Sequence, residues 1–144
     1  DVQRTGFFEP VARNTTAAIA IAALAAKYVD LLLLCRSDRH IPYGTAFVQA
    51  AKQGIAAEQV SVIVSFGISA TVPSTACGSI RQGEASPDGA LKVGGLSAKP
   101  AQNSVEPLSL SGSTLWSASI FLCFAQTLLS TLGQHAPDAL PACQ

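Results

Sequence analysis

Two long apolar runs set the pattern of this chain. The first, "AAIAIAALAAKYVDLLLLC", extends from Ala17 to Cys35, and residues 17 to 26 carry no polar side chain. At about 1.5 Å per residue, a helix over this run is long enough to cross a hydrocarbon core. Lys27 and Asp30 interrupt it three residues apart, on one helical face, where opposite charges lower each other's cost. The second run, "LWSASIFLCFAQTLLSTL" from Leu115 to Leu132, holds no charge at all. It predicts a helix roughly 27 Å long, with Trp116 as an interfacial anchor and Gly133, Pro137 and Pro141 ending it.

The stretches between are different in kind. Residues 1–14 form an N-terminal extension, and Asn14, Thr15 and Thr16 offer caps for the first helix. Arg36, Asp38, Arg39 and His40 follow the first run as a basic flank, of the sort that holds a helix end on the positive-inside face. After a break at Ile41–Gly44, "TAFVQAAKQGIAAEQ" has helical spacing, with Phe47, Val48, Ala51 and Ile55 on one side. The β-branched "VSVIVSFGISATV", residues 60–72, is open to three readings: a buried strand, a re-entrant piece, or part of a tilted helix starting near Ile55. Residues 73–114, rich in Gly, Ser and Pro, predict a long loop that does not order itself.

The fold class predicted is therefore an all-α membrane protein. Transmembrane helices at 15–35 and 115–132 are joined through a flank and surface helix (36–72, with a third, tilted or re-entrant segment at about 55–72) and the loop at 73–114. A tail covers 133–144.

Composition sharpens this picture. Charged residues make up 12% of the 144 positions, where soluble domains carry about 25%. Nine basic and nine acidic residues cancel without forming a block, so no footprint for nucleic acid is present. The chain starts at Asp1 and has no Met, which fits a mature N-terminus exposed by removal of a targeting peptide. Four widely spaced cysteines write neither a zinc site nor a thioredoxin-type motif.

Candidate chemistry is sparse. His40 and His135 would sit at opposite faces of a two-helix hairpin and could not share a haem. No H-E-x-x-H, G-x-S-x-G, G-x-G-x-x-G or P-loop spacing occurs, so no enzymatic activity is expected. Gln126 falls near the depth of Lys27 and Asp30 and is the candidate pigment or cofactor ligand; the plainer reading of these three is a polar staple between helices. Ala18, Ala22 and Ala26 form a small-residue stripe, with a weaker one at Ser119 and Cys123.

These readings together predict a small, non-catalytic integral-membrane accessory or scaffold subunit of a photosynthetic or respiratory complex, in a thylakoid or mitochondrial inner membrane. Its partners would be other membrane subunits and lipids. No cofactor would be intrinsic, with chlorophyll, carotenoid or lipid held at subunit interfaces. The alternatives are a soluble α-rich subunit of a filament or coat, and a small carrier of apolar ligands.

Overall fold

A computed structural model of the chain describes residues 5–7, 15–38, 40–57, 62–69, 77–87, 89–98 and 112–143. They form two compact units, one of residues 1–30 with 124–144 and one of residues 31–123.

In the first unit, helix α1 (Thr15–Ala25) takes the alanine-rich part of the opening run, since alanine has the highest helix propensity of any residue. It stops at Ala25 because Lys27–Asp30 makes a turn. The Lys27 N–H donates to Asp30 Oδ2 at 2.9 Å, and the Asp30 N–H donates to the Lys27 carbonyl at 2.9 Å. An aspartate that bonds the local backbone competes with helical pairing. Helix α3 (Ala125–His135) buries Ala125, Thr127, Leu128 and Leu132, the spacing of a single helical face, and it packs against α1, whose buried positions are Ala20 and Ala23. A short 3₁₀ turn at Pro141–Cys143 closes this unit.

The second unit is built around a five-stranded sheet. Its strands are β1 (Leu31–Leu34), β2 (Val64–Ser69), β3 (Ser79–Ala85), β4 (Leu91–Ser97) and β5 (Thr114–Phe124), and helix α2 (Gly44–Ala57) lies between β1 and β2 in sequence. The long β5 is the hub, pairing with β1, β2 and β3, while β4 extends the sheet from β3. Its pairing with β2 is antiparallel from Val64 opposite Leu122 to Ser69 opposite Leu115. Its pairing with β3 is antiparallel through Ser79 opposite Trp116 and Arg81 opposite Thr114.

Burial alternates along β5: Thr114, Trp116, Ala118, Ile120 and Leu122 are buried, and the residues between them are half-buried. This period of two is the strand signature. Ile120 and Leu122 contribute about 1.5–3 kcal/mol each by leaving water. Helix α2 comes close to the sheet at the buried Gly54, where an added Cβ would lie 3.2 Å from Leu122 Cδ2 and 3.5 Å from Phe66 Cζ. The Phe47 and Phe66 rings reinforce the contact, with centroids 6.0 Å apart.

These elements correct the expected fold. The described residues form an α/β domain with antiparallel strands and three α-helices, not an all-α membrane protein. The expected transmembrane helix at 15–35 is helix α1, a turn and strand β1; that at 115–132 is strand β5 running into α3. Among the described residues, no helix is long and apolar enough to cross a membrane, which overturns the expected pair of transmembrane helices. Within 55–72 the described residues give the end of α2 and then strand β2 in place of a third span, and the strand is half-buried at Val64–Phe66 and exposed at Gly67–Ser69, so it is not the buried strand of the first reading.

The segment 73–114, expected as an irregular loop, contains the β3–β4 hairpin. Its turn is tied by the Ser86 N–H to the Ala90 carbonyl (2.7 Å) and the Gly89 N–H to the Ser86 carbonyl (3.0 Å), with Gly89 at φ +81°. Backbone pairing with β5 organises a strand whose own composition is poor in apolar residues. The proposed Asn14 cap lies outside the described residues, as does most of the extension at 1–14.

Candidate functional site

Backbone hydrogen bonds fix the direction of β1. The Gln126 N–H donates to the Tyr28 carbonyl at 3.1 Å and the Ala125 N–H to the Asp30 carbonyl at 2.9 Å. These two segments run in opposite directions, and β1 begins right after Asp30 while β5 ends right before Ala125. Because β1 pairs with β5, it runs antiparallel to it.

Strand β5 is irregular between Ser117 and Phe121. Ser65 opposes Phe121 and Gly67 opposes Ser117, so the single residue Phe66 faces three residues, Ala118, Ser119 and Ile120. Such bulges re-aim side chains and are common beside active sites. Ser119 sits at φ +55°, a left-handed conformation that costs a non-glycine residue roughly 1–2 kcal/mol. Its N–H donates to Ser117 Oγ at 3.3 Å, and both serines are half-buried. Strain held by surrounding structure is a marker of functional sites.

The exit of β1 carries the charge. Arg36 grips Asp38 with a two-pronged contact, Nε donating to Oδ1 at 3.0 Å and Nη2 to Oδ2 at 2.6 Å. The hydrogen bonds and charge of Asp38 hold the guanidinium proton even more firmly than usual. Burial pushes the neighbouring Cys35 thiol up from its ordinary value. Ser37 and His40 are exposed in the same loop. Loops at strand ends of an α/β sheet are where such folds collect their ligands.

The residues singled out from the sequence are distributed differently. Lys27, Asp30 and Gln126 do come together, but in the first unit and through backbone bonds beside the Lys27–Asp30 turn; Lys27 and Asp30 are exposed and Gln126 is half-buried. Of the alanine stripe, Ala18 is exposed and Ala22 and Ala26 half-buried, since α1 packs through Ala20 and Ala23 instead. Ser119 and Cys123 lie on a strand, Ser119 in the bulge and Cys123 fully buried. The Arg36–Asp38 pair was missed as a site because its residues read as a membrane flank. The signal that would have found it is a charged cluster directly after an apolar run of strand length, Leu31–Leu34.

Comparison with known proteins places this geometry. A match to the nucleotidyl transferase family covers residues 1–144. A mannose-1-phosphate guanylyltransferase of Escherichia coli is 34% identical over 145 aligned positions, covering 94% of this chain and 30% of that protein. The xanthan biosynthesis protein XanB of Xanthomonas campestris is 36% identical over 139, covering 94% of this chain and 29% of its own length. This chain thus spans about a third of the length of the curated relatives it matches. Among solved structures, a mannose-6-phosphate isomerase from Helicobacter pylori superposes with TM-score 0.81 at 33% identity, covering 93% of this chain and 50% of that one. A mannose-1-phosphate geranyltransferase from Thermus thermophilus shares the fold, with TM-score 0.84 at 23% identity, over 95% of this chain and 41% of that one.

These matches overturn the expected non-catalytic accessory subunit of a photosynthetic or respiratory complex, along with its membrane-subunit and lipid partners and the filament and carrier alternatives. The matched family is one of enzymes. The chain is a member of the nucleotidyl transferase family.

Proposed function

We propose that this chain is part of an enzyme that moves a guanylyl group from GTP onto mannose 1-phosphate. The observation that supports this reading is the identity of 34% to the guanylyltransferase of Escherichia coli, sustained over 94% of the chain. In the transfer, an oxygen of the sugar phosphate attacks the α-phosphorus of the nucleotide. One O–P bond forms, the bond to the β-phosphate oxygen breaks, and pyrophosphate leaves. Catalysis of such a step is largely positioning and stabilisation of charge.

The chain's own residues suit that work at one place. The exit loop of β1 offers a guanidinium at Arg36, a hydroxyl at Ser37 and an exposed imidazole at His40, all able to meet phosphate oxygens. The β5 bulge holds the Ser119 backbone in a strained conformation, which suits close approach of a polar ligand.

Triphosphate chemistry ordinarily uses a divalent cation held by one or two carboxylates. The residues described do not fit a preformed cage of that kind. No group of three His, Cys, Asp or Glu comes together among the described residues, and both oxygens of Asp38 are engaged by Arg36.

The test is to incubate the protein carrying this chain with GTP and mannose 1-phosphate. Pyrophosphate release and a guanosine diphosphate sugar identified by mass spectrometry are expected, with less product from glucose 1-phosphate. Absence of a nucleotide sugar with every pairing of nucleoside triphosphate and hexose phosphate would overturn the reading.

A further inference from the structure

We draw no further inference here: the strongest candidate, the surface patch along the sheet-end strand β4 where Leu91, Val93 and Leu96 are exposed, carries nothing because no feature of the described residues shows what covers it.

Discussion

Gly67 on β2 lies diagonally across from Leu115 on β5, and the Cβ that Gly67 lacks would fall 2.5 Å from Leu115 Cδ1 and 2.8 Å from Leu115 Cβ. The second distance involves an atom fixed to the backbone, so rotation of the leucine side chain does not relieve it. Gly67→Ala is therefore expected to destabilise the protein by about 1–3 kcal/mol, the range for overpacking a tight site. Urea unfolding checks this; a midpoint equal to the parent's would show that the two strands have room to part.

At Ser119 the strain is in the backbone. With φ at +55°, glycine or asparagine fits the position without the Cβ conflict that a β-branched residue meets most severely. Ser119→Gly should leave stability unchanged or raise it by up to about 1 kcal/mol, the relief being partly offset by the freer unfolded chain. Ser119→Val should lower it by about 2 kcal/mol. Thermal unfolding of the two variants gives the order, and a valine variant as stable as the glycine one would refute the assigned conformation.

The sequence made some of this legible and concealed the rest for identifiable reasons. Helix α2 was readable from the spacing of Phe47, Val48, Ala51 and Ile55, although the buried position turned out to be Gly54, with Val48 and Ile55 exposed. The stop near Gly133 and Pro137 was also readable, since α3 ends at His135. Strand β5 was concealed by length: an uncharged run from Leu115 to Leu132 suggested one long helix. Its first half nevertheless alternates Trp116, Ala118 and Ile120 with Ser117 and Ser119, a period of two that no helix requires. In the opening run, alanine gives a high apolar score while covering little surface, so α1 needs only Ala20 and Ala23 buried. The Arg36–Asp38 site was hidden because a cluster of charge after an apolar run has the same appearance at a strand exit as at a membrane edge. The β3–β4 hairpin was illegible from composition, because its order comes from pairing with a distant strand.

Cys35 offers a prediction that depends on pH. Cys35 is exposed overall, but partial desolvation of its thiol raises the pKa, so the folded protein holds this proton more tightly than the unfolded chain does. The associated stabilisation is fully present below the unfolded thiol value and fades as pH rises through the higher folded value. Alkylation requires the thiolate. The rate of Cys35 modification by iodoacetamide, followed by peptide mass spectrometry, should therefore reach its midpoint at higher pH in the folded protein than in urea. Identical midpoints would count against the burial effect.

Thr127 carries the one side-chain oxygen among the described residues that is buried without a hydrogen-bond partner. The neighbouring bond from Thr131 Oγ1, at 2.8 Å, goes to the Thr127 carbonyl and leaves the hydroxyl unsatisfied. An orphaned buried hydroxyl forfeits its bonds to water without compensation, at about 1–3 kcal/mol. Valine has nearly the same shape and no hydroxyl, and the two residues have similar helix propensities. Thr127→Val should thus raise stability by about 1 kcal/mol, whereas Thr127→Ser, which keeps the hydroxyl and removes a methyl from the packed face of α3, should lower it. Chemical denaturation of both variants decides the matter. If valine destabilises and serine does not, the hydroxyl is bonding to something that valine cannot replace.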